Sequence, residues 1–497
     1  RALHRTIGLA IEELYADRLA EFYETLAHHF GRAEEWERAL DYHERAAAKA
    51  AENFANRAVV VHCRQALAIA DRLGSVVGDE RRRALEEQLA LACFYVNDFE
   101  LSGEAYARAA ACSGDPGTGA LYLGLSGLSL FWGNQYARAD EAVERALELA
   151  RRHGAVAAEA LAVCNAGFFR GVCEGDVDAE AAAIERAAAL ASRAGNEVVQ
   201  ALIGFDMAQL AEWRGDYRRS IALSEQVIAA GRRLRLAHLV IWPGWFLGKA
   251  LCCLGQYGPA IARLSEAAEV CERIGDRVWK SRLLNTLGWC FAEIGSVARA
   301  REHNALAAVL AHEVGDAEIV GNSEINLVGD HLALGDLDGA RRYLEPIVER
   351  LARPGDPWMR WRYSLHATHV QGRLALQVGE PATALTHARL EIEGARRHRA
   401  PKIEARALVL AGEALLAMDE RESAGDTLGK AVEIADSIGY PHAARAALRP
   451  LAELARRLGR PAEAAQRDAR RAVLLEAALG TLAEDELRRD LAAAAAH

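Results

Sequence analysis

Eight times along this chain a short turn is followed by a slot for a small residue, and the spacing is nearly constant. The slots are Glu180, Ser220, Ala260, Ala300, Ala340, Ala384, Ala424 and Ala464, separated by steps of 40, 40, 40, 40, 44, 40 and 40 residues. The turns before them include Gly175-Asp176-Val177, Gly215-Asp216-Tyr217, Gly255-Gln256-Tyr257, Gly295-Ser296-Val297 and Gly335-Asp336-Leu337. A fixed period of this size is the signature of a solenoid. One such unit is too small to bury its own apolar face and must stack on its neighbours.

The unit from Trp242 to Gly275 shows why each slot holds what it does. Gly248 lies in a first helix, Gly255 ends it, and a second helix carries Ala260, Leu264 and Ala267 before Gly275. A residue without a side chain lets two helix backbones approach closely. Leu247, Leu251 and Leu264 fill the space around that contact, at the spacing of one apolar stripe per helix. Gly at the turn ends a helix, and the Asp or Asn beside it caps the next. Ala and Leu are abundant and Pro is scarce, at 11 residues. That suits helix, because Pro costs about 3 kcal/mol in a helix interior.

The pattern resembles the tetratricopeptide repeat (TPR): a small slot, a large residue three later, Ala twelve after the slot and Ala about seven beyond that. The usual unit is about 34 residues; here it is 40, so longer helices are expected. HEAT and armadillo repeats have a similar length but lack the Gly-Asp-Tyr-x-x-Ala element. The resemblance implies an all-α fold, an α-solenoid of about twelve TPR-like hairpins in a right-handed superhelix. Looser N-terminal units are expected at Leu26 to Ala39, Ala90 to Ala109 and Gly127 to Ala146, with Val59 to Ala66 as the second helix of another. Gly114-Asp115-Pro116-Gly117 and Arg353-Pro354-Gly355-Asp356-Pro357 cannot be helix interior. They suggest sub-arrays over 1-115, 116-352 and 353-478, with a helical tail over 479-497.

The opening stretch, with Leu3-His4-Arg5, Ala16-Asp17-Arg18-Leu19, Leu26-Ala27-His28-His29 and Trp36-Glu37-Arg38-Ala39, resembles a junction in bacterial signalling proteins. Those proteins join a class III adenylate/guanylate cyclase domain and an AAA (STAND-type) ATPase to a long TPR tail. The likeness covers about the first 75 residues. It implies a sensory or protein-interaction tail regulating an upstream ATPase or cyclase. On this reading the chain, which opens at Arg1 rather than Met, is a piece of a longer polypeptide. The alternatives are a cyclase fragment whose catalytic domain lies upstream, or a free-standing adaptor.

The net charge of −10 argues against nucleic acid, which asks for a basic face. No segment reads as the roughly 18 apolar residues that span a membrane. Nine cysteines without a C-x-x-C pair fit a reducing, cytoplasmic setting. No catalytic motif, metal cluster or cofactor loop is evident. The stretch Trp242 to Ala250 has the wrong glycine spacing for a phosphate loop, and Ala250 stands where a metal-binding hydroxyl would be needed.

In stacked helix pairs of this kind the first helices line the concave surface. Positions six and three before the small slot, and one, four and five after it, are expected to face inward. They select Phe205, Gln209, Glu212 and Trp213, then Trp242, Trp245, Lys249 and Cys252. Further along they select Arg282, Asn285 and Trp289, then Asn322 and Asn326, then His366, His369 and Arg373. Trp and Arg are enriched at binding hot spots, so a protein or peptide partner is expected on this wall. The His366–His369 spacing also suits two metal ligands, but no third is near in sequence.

Overall fold

The computed structural model describes residues 1–496. The N-terminal helices are α1 (Ala2–Leu14), α2 (Tyr23–Ala33), α3 (Trp36–Glu52), α4 (Asn56–Leu73), α5 (Asp79–Tyr95), α6 (Phe99–Ala111), α7 (Pro116–Trp132) and α8 (Tyr136–His153). Next come α9 (Val156–Glu174), α10 (Val177–Ala194), α11 (Glu197–Trp213), α12 (Tyr217–Leu234), α13 (His238–Cys253), α14 (Tyr257–Ile274), α15 (Arg277–Ile294) and α16 (Val297–Val314). The remainder are α17 (Ala317–Ala333), α18 (Leu337–Leu351), α19 (Arg360–Gln377), α20 (Pro381–Arg397), α21 (Pro401–Ala417), α22 (Arg421–Ser437), α23 (Pro441–Arg457), α24 (Pro461–Leu479) and α25 (Asp485–Ala496). No strand occurs among the described residues. The chain is an all-α array of TPR-like helical hairpins.

The period reappears in the backbone. Gly175 (φ 69°), Gly215 (79°), Gly255 (73°), Gly295 (86°), Gly335 (72°), Gly379 (81°), Asp419 (61°) and Gly459 (70°) hold the left-handed conformation that ends each first helix. The slots five residues on are sealed: Ala260, Ala300, Ala340, Ala384 and Ala424 have no exposed surface. Ser220 occupies such a slot by donating its hydroxyl to the Ala208 carbonyl oxygen at 2.8 Å, and Ser102 does the same to Ala90 at 2.8 Å. A Cβ on Gly248 would strike Leu264, and one on Gly412 would strike Leu428, which explains the glycines of the first helices.

The turns that close the second helices repeat the device at Gly195 (φ 67°), Gly275 (80°) and Gly315 (75°), but Arg235 holds φ 57° with a side chain attached. Left-handed backbone costs a non-glycine residue about 1–2 kcal/mol, partly offset by glycine's looser unfolded state. Arg235→Gly is therefore expected to stabilise the protein by about 0.5–1 kcal/mol. A higher urea midpoint at unchanged m value is the check; a lower midpoint would show that Arg235 has a role its exposed position hides.

Two departures from the sequence pattern stand out. Val59 to Ala66 lies in α4, which follows the second helix α3 directly and packs on both α3 and α5, so it has no first helix of its own. Helix α9 is long and apolar enough to cross a membrane by length and composition, with a mean hydropathy of 1.3, although 67% of that window is buried within the protein. The expectation that no segment reaches this threshold is corrected accordingly. Its apolarity is that of a core helix: Phe168, Phe169 and Val172 are each at most 5% exposed.

Two compact units divide the chain. The first comprises 1–167, 185–200 and 271–276; the second comprises 168–184, 201–270 and 277 onward. Neither proline-containing interruption falls at a division between them. In the first unit, Asn97 Nδ2 donates to Asp276 Oδ1 at 3.0 Å and Asn56 Nδ2 to the Ile274 carbonyl oxygen at 3.2 Å. These bonds tie its last segment to turns far back in the sequence.

The second unit curls until it meets itself. The Met359 N–H donates to Val172 O (3.1 Å), Trp361 Nε1 to Gly171 O (3.2 Å) and His398 Nδ1 to Gly175 O (2.9 Å). Pro401 and Ile438 sit against Gly215, Pro441 against Gly255 and Ala494 against Gly295. The turn glycines thus serve twice. They reverse the chain, and their missing side chains seat the next superhelical turn.

Candidate functional site

Closure of the second unit encloses a cavity of about 800 Å³, walled chiefly by the first helices of successive hairpins: α13, α15, α17, α19, α21 and α23. Helices α24 and α25 complete it through Arg471, Leu475, Leu491 and Ala494. The size lies within the range of pockets that bury a small ligand or a short peptide.

On α13, Lys249 Nζ lies 2.9 Å from Glu212 Oε2 and 4.4 Å above the Trp245 ring. Arg362 reaches the other Glu212 oxygen at 3.9 Å. Burial lowers the Lys249 ammonium to about 8 despite the attraction of Glu212. Burial works the other way on Glu212, but Lys249, Arg362 and Lys402 outweigh it and hold the carboxyl below its usual range. Trp245 is fixed by an Nε1 donation to Thr286 Oγ1 at 2.6 Å. Arg282 on α15 pairs with Glu318 at 2.6 Å and Asp316 at 3.4 Å, and its guanidinium lies 5.4 Å from the centre of the Trp245 ring.

A second cluster gathers on Glu293. Trp289 Nε1 and the Tyr440 hydroxyl donate to it, each at 3.0 Å, and His442 Nδ1 stands 3.1 Å away. Lys402 Nζ lies 3.6 Å from the centre of the Trp289 ring. Behind α19, His369 Nδ1 is 2.9 Å from Glu391 Oε2. Burial pushes His369 well below and Glu391 well above their usual values, which favours a hydrogen bond between neutral groups over an ion pair.

Ten residues selected by helix geometry line the cavity: Trp245, Lys249, Arg282, Asn285, Trp289, Asn322, Asn326, His366, His369 and Arg373. Five do not. Phe205 and Trp242 pack on each other at 5.1 Å between ring centres, and Trp242 also packs on Trp279 at 5.8 Å. Gln209 donates to buried Glu180 at 3.3 Å, Glu212 is sealed beneath Lys249, and Trp213 meets Trp361 edge-on at 5.5 Å. Cys252 is likewise buried, at 1% exposure. For these residues the inward placement is corrected. At the end of α11, Glu212 and Trp213 are met by Arg362 and Trp361 of α19, while Phe205 and Gln209 are taken up by Trp242 of α13 and Glu180 of α10.

Further lining residues lie outside the positions that the sequence pattern singles out. Glu318, Arg362, Lys402 and His442 each lie ten positions before a small slot, at Val328, Gly372, Gly412 and Ala452. Arg406 and Glu413 satisfy the original rule when it is applied to the hairpin of Gly412. Extending the stripe by one helical turn, and to the last hairpins, finds them all. Among the described residues no group of three or more His, Cys, Asp or Glu could hold a metal ion.

No family model and no curated protein matches the chain. Solved structures do. A Rap protein complexed with competence and sporulation factor is similar at a TM-score of 0.56 and 11% identity, covering 72% of this chain and 98% of its own. The quorum sensor NprR from B. thuringiensis in its apo form gives 0.48 at 13% identity, covering 72% and 98%. The Cut9–Hcn1 heterotetramer of APC/C gives 0.47 at 13% identity, covering 99% and 93%. At these identities the likeness is one of fold.

Proposed function

We propose that this chain is a non-catalytic TPR-type scaffold whose second unit takes a peptide or an extended protein segment inside its superhelix. The observation that carries the reading is the cavity wall itself. Indole faces at Trp245 and Trp289 stand beside carboxamides at Asn285, Asn322 and Asn326, all on first helices. A carboxamide offers both a donor and an acceptor and so matches a peptide unit, while Trp supplies contact area at a buried centre. The Asn285 amide nitrogen is buried without a partner, a donor waiting for an acceptor. The Rap structure with the same fold was determined with competence and sporulation factor bound, which favours a ligand over an empty architectural role.

In this reading occupancy shifts the equilibrium of an attached ATPase or cyclase in the cytoplasm, a role that rests on the resemblance of the opening residues. The upstream reading frame tests that part, through a phosphate-binding loop and a metal-binding Asp pair. The binding role is tested with Trp289→Ala and Asn322→Ala. Trp245 is a poorer choice because it bonds to Thr286 and packs on Trp279 of the next first helix, whereas the Trp289 bond to Glu293 stays within α15. Each substitution is expected to weaken retained peptide by about tenfold or more, with helical content and melting unchanged. Equal retention by both variants rejects the cavity as the binding site.

A further inference from the structure

The chain as a whole is acidic, with 70 Asp and Glu against 60 Lys and Arg. Its cavity has the opposite sign: nine Lys and Arg line it against five Asp and Glu. The five acids are already engaged. Glu318 pairs with Arg282, Glu413 with Arg373 and Arg449, and Asp468 with Arg456 and Arg471. Asp330 accepts from Asn304 at 2.8 Å, and burial raises it to about 7, so it carries only part of a charge near neutrality. Glu293 accepts from the Tyr440 hydroxyl and Trp289 Nε1, with His442 Nδ1 3.1 Å away.

Three cations make no direct ion pair, although Lys402 and Arg406 help hold the Glu293 carboxyl below its usual range. Among the described residues Lys402, Arg406 and Arg445 have no carboxylate within 4.0 Å. Lys402 rests on the Trp289 face. Arg445 is 9% exposed, and its Nε is buried with no hydrogen-bond partner. Lys402 and Arg406 are one turn apart on α21, and Arg445 lines the same cavity from α23. Unpaired cations in an enclosed, partly apolar space repel one another and lose hydration. Their field reaches across the cavity: after burial, the influences that push His366 well below its ordinary value are Arg362, Arg406, Lys402 and Lys249. An anion that enters the cavity relieves both costs. Arg presents a planar fork suited to carboxylate oxygens, and Lys adds a point charge.

We propose that the cavity selects acidic peptides, with Lys402, Arg406 and Arg445 receiving a ligand carboxylate while the Trp289 ring packs against the adjoining apolar part. This rests on the peptide-binding reading above and names the chemistry it prefers. The carboxylate comes either from an Asp or Glu side chain or from the peptide's C-terminus, and the geometry accepts both.

The test uses the full chain, immobilised and offered pools of random-sequence pentapeptides, with the retained fraction sequenced by mass spectrometry. One pool has free C-termini and the other is amidated. Retained peptides are expected to be enriched at least fivefold in Asp and Glu over the input, with the enrichment falling as salt rises. Enrichment in the amidated pool assigns the anion to side chains; its loss there assigns it to the C-terminus. Lys402→Gln and Arg406→Gln are expected to erase the enrichment while the fold survives, since neither residue makes a direct ion pair and Lys402→Gln gives up only the contact with the Trp289 and Tyr440 rings. Retention without acidic enrichment, or with basic enrichment, overturns the anionic preference and leaves the binding role standing. No retention at all overturns both. A lowered melting temperature in both Gln variants would mean that these cations hold the fold together, and would also overturn the proposal.

Discussion

Glu212→Gln is expected to destabilise the second unit by about 3–5 kcal/mol, the penalty for removing one partner of a buried ion pair. Glu212 is 2% exposed and is the only carboxylate among the described residues within 4.0 Å of Lys249 or of Arg362. Neutralising it strands two cations, themselves 7% and 8% exposed. The urea midpoint measures the loss, and a change below about 1 kcal/mol, the scale of a surface pair, would mean that water compensates the site. Lys249 adds a pH signature. Its folded value of about 8 lies below its ordinary value of 10.5, so between these limits the unfolded chain binds more protons than the fold. The Lys249 contribution to stability is therefore complete above pH 10.5 and is lost as the pH falls through about 8. Lys249→Met is expected to remove that slope, and Glu212→Leu/Lys249→Met to recover much of what Glu212→Gln loses, because an apolar pair of similar volume replaces a buried charged one at little cost.

The second large effect is at Glu180, where the repeat places a glutamate in a slot otherwise held by Ala or Ser. The carboxyl is fully buried, accepts one bond from Gln209 at 3.3 Å, and leaves Oε2 without a partner. Burial, aided by the nearby Asp206 carboxylate, raises it well above 4.5. Here the fold binds more protons than the unfolded chain. Glu180 therefore supports the fold fully below pH 4.5, and that support is lost as the pH rises through the elevated folded value. Glu180→Gln keeps the shape, removes the titration and is expected to stabilise the protein by about 1–2 kcal/mol at alkaline pH. Thermal melts from pH 5 to 9 check this: wild type loses stability relative to the variant as pH rises, and parallel curves would refute a neutral buried carboxyl. The slot also explains Gly171, where a Cβ would collide with the Glu180 carboxyl. Gly171→Ala alone is expected to destabilise, and Gly171→Ala/Glu180→Ala to recover, with a coupling energy of about 1–3 kcal/mol.

These sites show where sequence and structure part company. The period places Glu180 in a small-residue slot, but its burial without a second partner is not legible there. The groove rule placed Lys249, Arg282 and Trp289 on the cavity wall because it describes a helix packed in a stack, and these residues sit in ordinary stacked helices. It failed for Trp213 and Glu212 because the same stripe, on α11, is met by Trp361 and Arg362 about 150 residues further along. No local periodicity reports such an encounter. Lys402, Arg406 and Arg445 escaped for a simpler reason. Lys402 and Arg406 lie ten and six positions before Gly412, whereas Arg445, seven before Ala452, falls outside the rule; the significance of all three depends on making no direct ion pair, and a sequence does not state which charges meet.

The amino-acid sequence alone determined the helices, the hairpins, the positive-φ turns at Gly175 through Gly459 and the sealed small slots. Each of these depends on contacts within one unit or with its nearest neighbour, and such contacts leave a period. Only the tertiary structure decided that the second unit closes on itself, with bonded residues as far as 226 positions apart, and that closure leaves a cavity of about 800 Å³ with a cationic wall. The small rotation from one hairpin to the next sets that outcome. It accumulates over several repeats, and no single repeat encodes the sum.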